Sequence, residues 1–390
     1  MRNRILLVDD DPNILNGYKR SLRKSFDVST ALGGREALEI LTDNEAFPVV
    51  VSDMRMPEMD GIQFLEKVKE ISKDTVRIML TGNSDQETAM NAVNRGSIFR
   101  FLTKPCPNEL MLETLETGIK QYELVTAERE LLEKTLNGSV NLLTEILSLY
   151  LPEIFGQSIK KKSLIQDLAT ALNIPSFWEL EVAAMLSPIG FVGIPAEIIS
   201  KFQKSEDLSN DEKFILAEVP EVGAHLLSNI PRLEPVAQII LYQNKRYDGT
   251  GFPRNSVSGE EIPFGSRLLK ILEDLIQIES NGAERGQAIQ IMQNRKGWYD
   301  PKAFDIISQT LLDNETPPEA QTITTLTLKV DELQTGQILR SDAITIAGEL
   351  LLSAGQRLTP LNIQRLRNYD KTIGIRQPVQ VEVEMKTSIK

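Results

Sequence analysis

One cysteine and one histidine in 390 residues set the first limits on this chain. With Cys106 alone, no internal disulfide can close and no cysteine-based zinc site can be built. Cys106 reads as a small filler at a helix start. With His225 alone, no metal centre that needs several imidazoles is available. No apolar run approaches the ~20 residues needed to cross a bilayer. Positive charge is also short: 43 Lys and Arg stand against 55 Asp and Glu, a net charge of −12. Such a field repels phosphate backbones. The densest basic run, IKKKS (159–163), reads as one solvated helix face. Nucleic acid and membrane are therefore not expected partners. A charged, strand-like beginning without a cleavage pattern makes the cytoplasm the expected location.

What is present is the composition of a globular protein, 41% hydrophobic and 25% charged. The length calls for two or three domains. Over residues 1–122, RILLVDDD, FPVVVSDM, TVRIMLTG and IFRFLTKP are short apolar runs of strand type. Amphipathic helical stretches such as GGREALEILTDN and GIQFLEKVKEI lie between them. This alternation predicts an open parallel sheet with helices on both faces. Binding sites of such sheets gather at the carboxyl ends of the strands. Asp9 and Asp10 end the first strand, Asp53 the third and Thr81 the fourth, while Lys104 follows the fifth. Carboxylates crowded at one edge repel one another unless a cation joins them, and oxygen-only ligands suit Mg²⁺. A carboxylate beside Mg²⁺, with a lysine and a hydroxyl to hold phosphoryl oxygens, is equipped to attack a phosphoryl group.

These residues resemble the receiver domain of bacterial response regulators. The resemblance implies that Asp53 accepts a phosphoryl group from a sensor histidine kinase. It implies that Asp9, Asp10, Asp53 and the backbone carbonyl of Arg55 hold Mg²⁺, and that Thr81 and Lys104 contact the phosphoryl group. Phe101 falls where that family has a switching aromatic, and the Lys104–Pro105 bond is expected to be cis.

A connecting helix is expected over 123–139. Leu132, Leu136, Val140, Leu143, Leu147 and Tyr150 recur at three- and four-residue steps on one helical face. That stripe could join two subunits, giving the expected homodimer, or pack on the next domain. Asn137-Gly138 is a candidate bend. Over 140–315 the pattern is helical throughout, for example KSLIQDLATALNI and FWELEVAAMLSPIG.

In this segment AAMLSPIGFVGIPAEII, EVGAHLLSNIPRLEPVAQIILY, RYDGTGFP and IPFGSRLLKILEDL together resemble the HD-GYP branch of the HD metal phosphohydrolases. That family hydrolyses cyclic di-GMP with metal ions held by histidines and aspartates. Carried over residue by residue, the ligands are missing. The early helix histidine maps to Gln157, the His-Asp pair to Ser187-Pro188 and the following lysine to Phe191. A further histidine maps to Val219, the pair before the GYP signature to Gln243-Asn244, and a late aspartate to Glu273. No metal is expected there, and RYDGTGFP is read as a turn kept for its shape. Two other readings stay open. A one-metal phosphodiesterase site would use Glu273, Asp274 and Asp248; a non-hydrolysing cyclic di-GMP sensor would use Lys245, Arg246 or Arg267.

After a linker, DNETPPEAQT (313–322), strand alternation in TITTLTLKV and PVQVEVEM with intervening glycine turns predicts a small β-rich module over 322–390. The expected protein is thus multidomain. An α/β receiver with a doubly wound five-stranded parallel sheet precedes an all-α HD-like domain and the β module. Phosphorylation would steer contact with a downstream protein, a diguanylate cyclase being one candidate.

Overall fold

The computed structural model describes residues 3–43, 46–82, 98–172, 177–204, 206–313 and 325–382. The expected linker lies outside these residues beyond Asp313. The chain forms two compact units, Met1–Thr135 and Leu136–Lys390.

The first unit alternates β1 (Arg4–Asp9), α1 (Pro12–Leu22), β2 (Asp27–Leu32), α2 (Gly34–Asp43), β3 (Val49–Asp53), α3 (Gly61–Ile71), β4 (Val76–Thr81) and β5 (Arg100–Thr103). The strands form one five-stranded sheet in the order β2-β1-β3-β4-β5, and every pairing is parallel. The two-residue period of a strand divides the sheet's apolar residues between two cores. Ile5, Leu7, Val49, Val51, Ile78 and Leu80 share one, and Leu6, Val8, Val50 and Met79 the other. Each such buried side chain contributes about 1.5–3 kcal/mol. Strand order reverses between β1 and β3, which places a crevice at their carboxyl ends.

Local sequence sets the helix starts beside that crevice. The Asp11 carboxylate accepts from the Asn13 amide at 2.8 Å and caps α1, with Pro12 as the first helical residue. Asp60 caps α3 in the same way through Gln63. Gly61 is required by proximity, since a Cβ there would lie 2.0 Å from the Asp53 carbonyl oxygen.

A single helix, α4 (Asn108–Tyr150), contains the boundary between the units and is helical through Asn137-Gly138. Its apolar stripe is largely spent within the second unit. Val140 and Leu147 are buried in the helical core, and Leu136 and Leu143 pack against it. Leu132 and Tyr150 remain exposed.

The second unit continues with α5 (Pro152–Leu172), α6 (Trp178–Leu186), α7 (Ala196–Gln203), α8 (Asn210–Ala217), α9 (Val219–Leu227), α10 (Glu234–Leu241), α11 (Phe264–Ser280), α12 (Arg285–Gln293) and α13 (Pro301–Asp313). Their apolar faces share one core that includes Leu168, Leu180, Ala184, Ile240, Leu268 and Leu272. A small antiparallel sheet follows, β6 (Thr325–Leu328), β10 (Val379–Glu382) and β7 (Ile338–Leu339), accompanied by a β8–β9 pair (Ala343–Ile344, Leu350–Leu352) and α14 (Pro360–Thr372). Ser353 Oγ donates to the Pro152 carbonyl at 2.8 Å and Arg365 Nη1 to the Leu149 carbonyl at 2.7 Å, tying this module to the helices. No described helix is long and apolar enough to cross a membrane.

Candidate functional site

The crevice of the parallel sheet brings together residues from four strand ends. Asp9 closes β1, Asp10 follows it, Asp53 closes β3 and Thr81 closes β4. Lys104 follows β5, and its backbone N–H donates to the Thr81 carbonyl at 2.8 Å. Ligand oxygens of Asp9, Asp10 and Asp53 all lie within 4.8 Å of one another. Asp9 and Asp53 are 2% and 8% exposed, whereas Asp10 is open to solvent. Lys104 Nζ bridges the two buried acids, 2.7 Å from Asp9 Oδ2 and 2.6 Å from Asp53 Oδ1. Backbone donors hold the other oxygens: the Asp11 N–H reaches Asp9 Oδ1 at 2.9 Å and the Arg55 N–H reaches Asp53 Oδ2 at 3.3 Å.

Burial would depress the Lys104 ammonium, but its hydrogen bonds and charge interactions with Asp53 and Asp9 outweigh that, and its pKa lies above the ordinary lysine value. Three carboxylates and one ammonium leave excess negative charge on an oxygen-only donor set. That set fits a hard divalent cation such as Mg²⁺. Asp11 caps α1, which separates its role from those of Asp9 and Asp10. Phe101 packs half-buried on one of the two sheet cores. The Lys104–Pro105 bond is cis.

The second unit holds a cavity of about 410 Å³. Gln157, Ser187, Pro188, Phe191, Val219, Gln243, Asn244 and Glu273 all line it. The positions that the resemblance maps onto the hydrolase site therefore converge, from α5, α9, α11 and the segments after α6 and α10. None carries an imidazole. His225 lies exposed in the last turn of α9 and is not part of the lining.

A residue missed in the sequence joins them. Lys161 is 4% exposed, and its Nζ donates to Ser187 Oγ at 2.7 Å and to Glu273 Oε2 at 2.7 Å. The reading of IKKKS as a solvated face is corrected at this position. The signal that could have found it is spacing: Lys161 lies one helical turn after Gln157 and so shares its face. The neighbouring acid, Asp274, accepts from Lys270 at 2.8 Å, from the Tyr299 hydroxyl at 2.7 Å and pairs with Arg295 at 3.2 Å.

The ligand set of Glu273, Asp274 and Asp248 does not assemble. Asp248 Oδ1 is engaged by the Thr250 N–H at 2.8 Å and hydroxyl at 2.6 Å, and Asp248 is not part of the cavity lining. Among the described residues, Asp9, Asp10 and Asp53 form the only group of three or more His, Cys, Asp or Glu close enough to share an ion. The cations named for a sensor each make contacts within the fold. Lys245, 1% exposed, donates to the carbonyls of Pro253 at 2.8 Å and Asn255 at 2.9 Å, and burial lowers its pKa. Arg267 pairs with Asp300, and the Arg246 guanidinium lies 3.5 Å from the Trp298 ring centroid. The RYDGTGFP loop has Gly249 and Gly251 at φ +86° and +88°. It is pinned by Tyr247 and Asp248 amides donating to the Trp298 and Gly297 carbonyls at 3.0 and 2.8 Å.

Comparison with known proteins agrees with this division. Residues 5–116 match the response regulator receiver domain and residues 141–303 the HD domain. The hydrogenase transcriptional regulatory protein HoxA of Bradyrhizobium diazoefficiens is 32% identical over 120 residues, 31% of this chain and 24% of HoxA. The chain thus spans about a quarter of that relative's length. A probable cyclic di-GMP phosphodiesterase of Vibrio cholerae is 23% identical over 77% of this chain and 76% of its own. The cyclic di-GMP phosphodiesterase response regulator RpfG of Xanthomonas campestris is 26% identical over 58% of this chain and 64% of its own. The chain therefore joins a response regulator receiver domain to an HD domain.

Proposed function

We propose that this chain is a response regulator phosphorylated on Asp53 by a sensor histidine kinase, and that its HD domain signals by protein contact without hydrolysing cyclic di-GMP. The observation that carries the first half is the Lys104 bridge between Asp9 and Asp53 beside Thr81. In the transfer, an Asp53 carboxylate oxygen forms a bond to phosphorus as the bond from phosphorus to the kinase histidine nitrogen breaks. The imidazole leaves neutral. Lys104 exchanges its Asp53 contact for a phosphoryl oxygen, and the Thr81 hydroxyl donates to another. Bound Mg²⁺, held by Asp9, Asp10, Asp53 and the Arg55 carbonyl, would supply charge neutralisation for the phosphoryl oxygens. Phe101 then changes its packing on the sheet core, linking the site to the opposite surface.

In this reading the receiver occupies 1–122, the connecting helix 123–139, the degenerate HD-GYP-like domain 140–315 and the β module 322–390. The second half is supported by the cavity lining, which carries Gln157, Ser187, Val219, Gln243 and Asn244 at the mapped histidine positions, where a metal hydrolase needs imidazoles. The domain would act on a downstream protein, with a diguanylate cyclase as a candidate, and in a homodimer. Since the apolar stripe of α4 is mostly buried in its own core, exposed apolar residues of the helix such as Leu124, Leu131, Leu132, Leu142, Ile146 and Tyr150 are left to meet a second copy. The relatives' names favour a phosphodiesterase as the competing reading.

Incubation with a small phosphodonor should label the wild-type chain and leave Asp53→Ala unlabelled; equal labelling would refute the acceptor. Cyclic di-GMP supplied with Mn²⁺ or Fe²⁺ should remain intact over purified protein while a competent hydrolase linearises it. Metal-dependent product that disappears in Glu273→Ala would establish the phosphodiesterase instead.

A further inference from the structure

We propose that the Lys161 ammonium does in this cavity the structural work that a metal cation does in the related hydrolases, holding the cavity walls together as a fixed internal charge. The inference rests on reading the cavity as an HD site without its imidazoles. It concerns what replaced the metal rather than whether catalysis survives.

A cavity evolved around cations keeps its shape because positive charge draws its walls together. Taking the cation away leaves a carboxylate without a partner, and a partly enclosed carboxylate is costly when unpaired. Here the retained acid is Glu273, and Lys161 Nζ lies 2.7 Å from its Oε2. The same nitrogen lies 2.7 Å from Ser187 Oγ, which stands at the mapped His-Asp pair. One ammonium therefore contacts two positions to which the resemblance assigns metal ligands, and it links α5, the end of α6 and α11. The Ser187 hydroxyl is oriented for this, because its own hydrogen goes to the Ala184 carbonyl at 2.9 Å and its lone pairs face the donor.

Lys161 is 4% exposed, so its charge is compensated by these contacts rather than by water. A second acid of the lining, Asp274, is neutralised by protein as well, with Lys270 and Arg295 both paired to it and the Tyr299 hydroxyl donating to it. Glu273 and Asp274 are thus committed to cations of the chain, Gln157, Gln243 and Asn244 add neutral amides, and the third acid of the lining, Glu153, is exposed. Such a set is organised without a divalent ion and is poorly suited to recruit one.

Urea unfolding of the full chain tests this through tryptophan fluorescence. The two tryptophans, Trp178 and Trp298, both belong to the second unit, so the signal reports that unit. Lys161→Met should lower the midpoint, and Lys161→Met combined with Glu273→Gln should recover more than half of the loss, because the second change removes the stranded charge. Exhaustive dialysis against EDTA should leave the wild-type midpoint unchanged. A wild-type midpoint in Lys161→Met, no recovery in the double variant, or a fall on chelation would each overturn the proposal. If Lys161→Met yields no folded protein, the EDTA arm and recovery of soluble protein in the double variant decide. Cyclic di-GMP left intact by a chain whose double variant shows no recovery would keep the functional reading above and overturn this proposal alone.

Discussion

The Lys104 ammonium lies 2.6 Å from an Asp53 oxygen and 2.7 Å from an Asp9 oxygen, so one cation ties the ends of β1, β3 and β5 into one site. Lys104→Met should lower labelling by a small phosphodonor roughly a hundredfold, the scale of losing a charge-stabilising donor at a reacting group. The same bridge sets a pH dependence. The folded pKa of Lys104 is raised above its ordinary value of 10.5. Its contribution to stability is complete below 10.5 and is lost as pH rises through the raised value. Alkaline unfolding followed by circular dichroism should therefore begin at lower pH in Lys104→Met. An unchanged alkaline limb would show that the bridge contributes little.

Gly61 packs directly against the backbone of the acceptor. A Cβ at this position would meet the Asp53 carbonyl oxygen at 2.0 Å, so Gly61→Ala must push β3 away from α3. A stability loss of about 1–3 kcal/mol is expected, with slower phosphorylation because Asp53 moves with its carbonyl. Urea denaturation and a labelling time course measure the two effects. Labelling at the wild-type rate would mean that the shift is absorbed by α3 alone.

Lys245 holds the RYDGTGFP loop from within, through the Pro253 and Asn255 carbonyls. Lys245→Met keeps the aliphatic volume and removes charged donors, so a loss of about 1.5–3 kcal/mol is expected. Because Tyr247 and Asp248 bond to the Trp298 and Gly297 carbonyls, the Trp298 emission should shift as the loop loosens. Wild-type emission and stability in this variant would remove the structural explanation of the loop.

Tyr299 donates to Asp274 Oδ2 at 2.7 Å and stacks on Phe304 with ring centroids 5.2 Å apart. Burial first, and then the Asp274 charge, raises its phenol far above the ordinary value of 10.0. The folded state keeps this proton where the unfolded chain loses it, so the contribution is complete below about pH 10 and declines above it. Tyr299→Phe retains the stack but removes the hydroxyl donor from Asp274 Oδ2, leaving that oxygen to Arg295 alone, at an expected cost of about 1–3 kcal/mol. Phenolate absorbance of the wild type should show Tyr299 ionising only with unfolding; early titration in the folded protein would contradict this placement.

The receiver site was legible because its residues obey local rules. Asp9, Asp53 and Thr81 end apolar strand runs, and Lys104 follows another, so a parallel sheet must deliver them to one edge. The cavity positions were legible through order and spacing, and Gln157, Ser187, Val219, Gln243 and Glu273 do line one space. The helix stripe was legible as a stripe only. Periodicity shows that Val140 and Leu147 share a face, while the helices packed on that face determine whether it meets a second copy or the chain's own core.

By itself, the sequence determined the parallel sheet, the acidic edge with its lysine, and the lack of imidazoles that a several-histidine metal centre would need. Only the tertiary structure decided the fate of the lysines. Lys161 stands in a basic run that reads as solvated and Lys245 follows a helix end as a candidate ligand-binding cation, yet they are 4% and 1% exposed. A strand end or a missing residue type is a property of the chain. The state of a charge depends on its surroundings, and the Lys161 partner, Glu273, comes from 112 residues away.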